Sequence, residues 1–388
     1  MKIAFQLQYQ KNINLINDKI NLIENTFYFK NTVGRIMGKK QINLGLFTSV
    51  YSYFLYLLLK GYDENDIIIV HNTFPEEISK NINPIIVPVE ATKYGGLKQS
   101  IETLGIKQMI KGLTTYVYNY LKLRILLFIK TFNKDVENYG HPFSGYAFMF
   151  YENENSNIIE DGLANYTRPI CETHKINPII DTLLHIGGIY FLNNCETYGT
   201  HKNIKNIYLT KNFDHPLIKD KIKVFNPEKI WNSLDYEEKN QILDIFNMNK
   251  INIDFKDNTA LILTQPLFQD GLMTLEQELN IYKEIMEKLS DYKILIKPHP
   301  RDKKNYKEIF PDAEIIDSSF PIELLNLIDI NPTIVSSAFT TALLNFKNCK
   351  IYIYEGELYD KKLNDARDEL LKRVHEENAK NLINEISQ

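Results

Sequence analysis

The stretch INLGLFTSVYSYFLYLLLKGYDENDIIIVHNTF, residues 42–74, reads as strand, helix, strand. INLGLF (42–47) is a short apolar run with strand character. Thr48 or Ser49 then caps a helix, SVYSYFLYLLLKGY, which stops at Gly61. DIIIVHNTF (66–74) follows as a second buried strand. This order opens a parallel α/β domain.

Working outward, the pattern returns in the C-terminal half. NTALILTQPL (258–267) is a buried strand, and TLEQELNIYKEIMEKLS (274–290) is a helix with apolar residues at helical spacing. DYKILIKPHP (291–300) reads as strand then loop, and IIDSSFPIELLNL (315–327) and PTIVSSAFTTALLNF (332–346) each read as strand, loop, helix. IYIYEG (351–356) closes the set. Two α/β halves emerge, near 41–165 and 255–360. Within the first, residues 97–134 read as helical. GYAFMFY (145–151) and NIIEDG (157–162) read as two short strands ending in an acidic turn. Residues 163–250 are irregular, with helical pieces such as PIIDTLLHIGGIYFL. The expected division is an N-terminal extension at 1–40, a first domain at 41–250 and a second at 251–388.

The bulk properties agree with this. A chain of 388 residues suits two domains of ~100–200 residues each. Hydrophobic content of 44% with 24% charged residues is ordinary for a soluble globular protein. A net charge of −4 provides no global basic field, so a nucleic-acid partner is not expected. Cys171, Cys195 and Cys349 are far apart and show no metal-ligand spacing, which supports neither a disulfide framework nor a zinc site. The start, MKIAFQLQYQKNIN, lacks the apolar core of a secretory signal, and no apolar run reaches the ~18 residues of a membrane span. The expected location is the cytoplasm. KGLTTYVYNYLKLRILLFIKTF (111–132) mixes apolar residues with Lys111, Lys122, Arg124 and Lys130. It reads as a core helix with a solvated face, or as a helix resting on the anionic inner face of the cell membrane.

Four loops follow predicted strands on their C-terminal side, where open α/β sheets bind ligands. Glu160-Asp161-Gly162 places two adjacent carboxylates at a strand end, where one can act as general base toward a hydroxyl and Gly162 permits a sharp turn. An ordinary Asp-Gly turn is the plainer reading. Lys297-Pro298-His299-Pro300-Arg301 fixes one histidine between two prolines in a positive local field, which suits a phosphate. A solvent-facing turn is its plainer reading. Ser336-Ser337 reads as a pair of hydroxyls opening a helix, either as an anion site or as simple capping. Pro321-Ile322-Glu323 opens a helix with a carboxylate that favours the helix dipole or accepts hydrogen bonds from a ribose. Neither GxGxxG nor GxxxxGK[ST] occurs, so dinucleotide and P-loop readings fail. No DxD pair stands near a strand end to clamp a metal on a diphosphate, and a metal-free mechanism without a cofactor is expected.

In this order the motifs resemble the bacterial lipooligosaccharide sialyltransferases of glycosyltransferase family 52 and the related capsular polysialyltransferases. Those carry a D/E-D-G, an H-P and a Ser-Ser motif, matched by Glu160-Asp161-Gly162, His299-Pro300 and Ser336-Ser337. ILTQPLFQDG (262–271), IKPHPRD (296–302) and PIELL (321–325) support the match. The resemblance implies a GT-B-type α/β fold, two Rossmann-like domains facing each other across a cleft. The first would serve the acceptor and the second would bind the CMP donor. It implies inverting transfer from CMP-sialic acid to a galactose- or sialic acid-terminated glycan, without metal. Asp161 would be the base, with Glu160 tuning or orienting it. His299 would bind the phosphate or protonate the leaving group, and Ser336 and Ser337 would hold the phosphate. Lys297 and Pro300 would complete the nucleotide site, and Glu323 would hold the ribose. A homodimer is compatible with this reading. The first strand of such proteins lies near the N-terminus, whereas here it begins near residue 41. A CDP-glycerol or other polyol-phosphate transferase on a similar scaffold, or a non-catalytic glycan- or nucleotide-binding protein, are the alternatives.

Overall fold

The computed structural model describes residues 40–88, 118–142, 146, 148–162, 164–167, 199–250, 258–316, 319–346 and 349–386. The expected extension at 1–40, apart from its last residue, and the helical piece at 178–192 lie outside the described residues, as do residues 97–117.

The described residues fall into two compact units. The first lies within Met1–Tyr56, Asp63–Asn72 and Asn83–Asn226, and the second within Leu57–Tyr62, Thr73–Ile82 and Pro227–Gln388. The boundary thus falls at Pro227 and not at 251. The helices Pro227–Ser233 and Tyr236–Ile245, expected in the first domain, group with the second unit.

The first unit holds a parallel sheet of seven strands. They are β1 (Lys40–Phe47), β2 (Ile67–His71), β3 (Ile85–Val87), β4 (Lys134–Gly140), β5 (Ser156–Ile159), β6 (Ile204–Leu209) and β7 (Ile222–Val224). The spatial order is β3-β2-β1-β4-β5-β6-β7, so the direction of winding reverses between β1 and β4. At such a switch point the loops beyond the strand ends diverge and leave room for a ligand. Ile42, Leu44 and Leu46 of β1 join Ile67, Ile69, Ile158 and Ile207 in one buried core. The helix Val50–Lys60 returns from β1 to β2 as the sequence predicts. GYAFMFY does not form the expected strand: Phe148–Glu152 is helical, with Phe148, Met149, Phe150 and Tyr151 all buried.

The second unit holds five parallel strands in the order β10-β9-β8-β11-β12. These are β8 (Thr259–Leu263), β9 (Lys293–Lys297), β10 (Glu314–Ile315), β11 (Ile334–Ser337) and β12 (Lys350–Ile353). Here the switch lies between β8 and β11. The helix Leu275–Lys288 begins with a capping box, in which Gln277 N–H donates to Thr274 Oγ1 at 3.2 Å and Thr274 N–H to Gln277 Oε1 at 2.8 Å. Ile281, Tyr282 and Ile285 of that helix pack on Ala260, Ile262 and Ile296 of the sheet. Each unit is therefore an α/β domain built on a parallel sheet, as expected of a GT-B-type chain.

Candidate active site

In the first unit the chain leaves β5 at Ile159 and turns through Glu160, Asp161 and Gly162. Gly162 sits at φ +111°, a conformation costly for any residue with a Cβ, so the glycine is what allows this turn. The two carboxylates have different surroundings. Glu160 is buried and saturated. It accepts from Tyr166 Oη at 2.6 Å, from Thr210 N–H at 2.6 Å and Thr210 Oγ1 at 2.7 Å, and from Tyr51 Oη at 3.3 Å. These bonds tie the end of β5 to the end of β6. Asp161 is only partly buried. Its Oδ2 accepts from Thr48 Oγ1 at 2.9 Å and its Oδ1 from Ser49 Oγ. Its backbone N–H donates to Asn165 Oδ1 at 2.9 Å, and Asn165 Nδ2 lies 3.3 Å from Nε2 of the buried His141. Burial pushes the Asp161 carboxyl above the usual range, and the charge of Glu160 adds to the rise. The hydroxyls of Ser49, Thr48 and Ser52 oppose it.

In the second unit the strand ends are in register: Leu263 of β8 lies opposite Lys297 of β9 on one side and Ser337 of β11 on the other. The structure thus brings Lys297, His299 and the serines to one edge of the sheet. His299 N–H donates to Thr264 Oγ1 at 3.3 Å, and Arg301 N–H donates to His299 Nδ1 at 3.1 Å. A ring whose Nδ1 accepts carries its proton on Nε2 when neutral. Burial lowers the His299 pKa to about 4, and the charges of Arg301 and Lys297 act in the same direction. The turn after His299 is braced. Asp302 N–H donates to the His299 carbonyl at 2.8 Å, and Lys304 Nζ bridges Glu278 at 2.8 Å and Asp302 at 2.9 Å.

Three expectations change in detail. Ser336 and Ser337 do not open a helix: they are the last two residues of β11 and both are fully buried. Ser337 Oγ donates to the Leu263 carbonyl at 2.7 Å, whereas Ser336 Oγ has no hydrogen-bond partner among the described residues. The positive field beside His299 is partly spent, because Arg301 forms a two-point pair with Asp270 at 2.9 and 3.1 Å. Lys297 is buried, with Nζ 4.4 Å from the centre of the Phe320 ring. Pro300 is half-buried in the same turn. Glu323 does open a helix, Glu323–Leu327, after the buried Pro321. No cluster of three or more metal-binding side chains occurs among the described residues. Sequence reasoning treated Thr48 and Ser49 only as caps and overlooked Asn165, Tyr166, Thr210 and Thr264. Thr48 and Ser49 were findable, since they too follow a strand directly.

The model of Glycosyltransferase family 52 matches residues 95–359, well over half of the chain. The chain belongs to glycosyltransferase family 52. It is therefore an enzyme that takes a nucleotide-sugar donor and a glycan acceptor. Glu160-Asp161, His299-Pro300 and Ser336-Ser337 all lie inside the matched segment, whereas Thr48 and Ser49 precede it. An uncharacterized protein of Haemophilus influenzae is 30% identical over 227 residues, covering 58% of this chain and 70% of that protein. Among solved structures, an α/β-galactoside α-2,3-sialyltransferase of Photobacterium phosphoreum is 14% identical, covering 86% of this chain and 96% of that one, with a TM-score of 0.45. A UDP-GlcNAc 2-epimerase of Neisseria meningitidis is 12% identical, covering 84% and 85%, with a TM-score of 0.45. Likeness at that level carries no inference about this enzyme. No helix among the described residues is long and apolar enough to cross a membrane.

Proposed function

We propose that this family 52 enzyme transfers sialic acid, or a related nonulosonic acid, from its CMP conjugate to a hydroxyl of a cell-surface glycan ending in galactose or sialic acid, with inversion. The observation that carries the reading is the contrast between the two carboxylates. Glu160 is consumed by four donors, while Asp161 stands partly accessible with its pKa raised by burial. Asp161 takes the proton of the acceptor hydroxyl as its oxygen bonds to the anomeric carbon. The bond from that carbon to the phosphate breaks, and CMP leaves with the electron pair. The neutral His299 donates from Nε2 to the departing phosphate, and Lys297 and the strand-end serines frame the nucleotide. Glu323 would accept from the ribose hydroxyls. A CDP-polyol transferase would share several of these groups, but no observation favours it.

The test is product analysis with CMP-sialic acid and a panel of galactosides and sialosides. A sialylated product is expected; transfer only from a CDP-polyol would overturn the reading. EDTA in the same assay is expected to leave the rate essentially unchanged, because a single leaving phosphate is met by Lys297 and by hydrogen-bond donors. A rate abolished by chelation and restored by Mg²⁺ or Mn²⁺ would contradict this.

The reading extends to an anionic membrane surface, where a cell-surface glycan precursor is held. Residues 118–131 are helical, and Tyr120, Leu123 and Leu127 join the core. Tyr118, Ile125, Ile129 and Phe132 are 52–66% exposed, with Lys122 and Lys130 exposed beside them. An exposed apolar row flanked by lysines supports interfacial binding. The protein is expected to co-sediment with phosphatidylserine vesicles at low salt and to release at high salt, as the Debye length shrinks from ~30 Å at 0.01 M to ~3 Å at 1 M. Binding indifferent to both salt and lipid charge would rule out this contact.

A further inference from the structure

We infer that Thr48 and Ser49 are positioning residues for Asp161, holding the base carboxylate by one hydroxyl on each oxygen; the inference rests on Asp161 being the base. The geometry leaves the two hydroxyl protons little else to do. Ser49 Oγ accepts the capping bond from Ser52 N–H at 3.1 Å, and Ser52 Oγ donates to the Ser49 carbonyl at 3.1 Å. The Ser49 hydroxyl proton is then left to Asp161 Oδ1, with Ser52 Oγ at 3.1 Å as its alternative acceptor. Thr48 Oγ1 donates to Oδ2 at 2.9 Å. Thr48 and Ser49 thus place one donor on each oxygen and fix the plane of the carboxylate, with the nearby Ser52 hydroxyl adding to the stabilisation of its charged form.

The platform beneath these hydroxyls is close-packed. Gly140, at φ +121° where β4 ends, lies so near β1 that a Cβ there would sit 2.0 Å from the Leu46 carbonyl oxygen. His141 N–H donates to that same oxygen at 3.1 Å. The β1 end that carries Thr48 is thereby clamped to β4, whose other neighbour is β5, the strand that delivers Asp161. Capping alone accounts for one serine. It does not account for a threonine outside the helix reaching a residue 113 positions away.

The variants to compare are Thr48→Val, which keeps the branched shape, Ser49→Gly, which removes the hydroxyl at a position where glycine is tolerated as a cap, and their combination. Thr48→Ser and Asp161→Asn are the controls. A hydrogen bond to a charged group is worth enough to change a rate roughly tenfold or more. Each single variant is expected to lower kcat by about that factor, and the pair by more. The acidic limb of the kcat–pH profile should move to higher pH, since the lost donors favoured the charged carboxylate. The KM for the CMP donor should stay put, and Thr48→Ser should restore both rate and profile. Partial misfolding lowers the rate at every pH without displacing the limb, so the limb reads positioning separately from the amount of folded enzyme. Wild-type kcat and an unmoved limb in Thr48→Val and Ser49→Gly, with Asp161→Asn inactive, would overturn this inference alone. Normal transfer by Asp161→Asn would remove the base and the inference together.

Discussion

Asp161→Asn is expected to lower transfer by ~10²–10⁴-fold, the usual contribution of a positioned general base, while CMP binding measured by calorimetry changes little. The substitution keeps the shape of the side chain. The hydroxyls of Thr48 and Ser49 can each turn to accept as well as donate, so an amide finds partners where the carboxylate had them. What is lost is proton acceptance. The wild-type rate should also fall as pH drops through the Asp161 pKa, because the protonated form can no longer take up the proton of the acceptor hydroxyl. Burial raises that pKa, so the loss begins at a higher pH than for an ordinary aspartate. Glu160→Gln should behave differently. Three of its four donors, from Tyr166 and Thr210, converge on Oε2 and Tyr51 Oη alone meets Oε1, so an amide would keep its oxygen toward the three and its NH₂ toward Tyr51, and the charge that strengthens these buried bonds is lost. The expected outcome is a stability loss of roughly 1–3 kcal/mol with a smaller effect on rate than Asp161→Asn. Near-normal transfer by Asp161→Asn would end the assignment of the base.

The parts of the fold legible in the sequence are those in which one physical signal dominates. Strands β2 and β8 are nearly continuous apolar runs buried along their whole length, as expected of parallel strands covered on both faces, and β1, β9 and β12 carry the same signal over INLGLF, ILI and IYI. Strand β4, KDVENYG, carries no such signal, although it pairs with β1 along seven residues. Its polar residues are accommodated individually: the buried Asn138 donates to the Met149 carbonyl at 2.6 Å and to Ser156 Oγ at 3.0 Å. FMFYE has the opposite problem. With four consecutive residues buried, neither period two nor period 3.6 is visible, and such a run reads as a strand as readily as a helix. The serine pair reads as the start of a helix because hydroxyls suggest that a strand has ended. In β11 the strand continues through them, and the neighbouring Leu263 carbonyl absorbs the Ser337 proton. The carboxylate turn and the His-Pro turn were legible because each needs a particular backbone, supplied by glycine in one and proline in the other. The hydroxyls that meet Asp161 are 112 and 113 positions from it in sequence, and only the register of β1, β4 and β5 brings them together.

His299→Ala is the second large effect expected, and the structure narrows its meaning. A histidine with a pKa near 4 is neutral at pH 7 and is a poor reservoir for a proton. Its Nδ1 is occupied by the Arg301 N–H, which leaves Nε2–H as the group it can present. The role that fits is hydrogen-bond donation to the CMP phosphate as it leaves, not protonation of it. A hydrogen bond to a charged group is worth roughly 1.5–3 kcal/mol, so the loss in transfer should be about 10–100-fold. CMP affinity should weaken by a similar or smaller factor, while the acceptor KM stays constant. His299→Gln separates the two roles, because the glutamine amide can present an N–H near the position of Nε2 but cannot act as an acid. Partial rescue by Gln is expected. Ser336→Ala/Ser337→Ala should weaken CMP binding by ~10-fold or more, as does the loss of a hydrogen bond to a charged phosphate, and less than additively where one hydroxyl covers for the other. Since Ser337 already bonds to a carbonyl, Ser337→Ala alone should also cost stability by roughly 0.5–1.5 kcal/mol. Acceptor affinity lost with CMP affinity intact, in either set of variants, would mean that the second unit does not hold the nucleotide, and the assignment of donor and acceptor sides would be reversed.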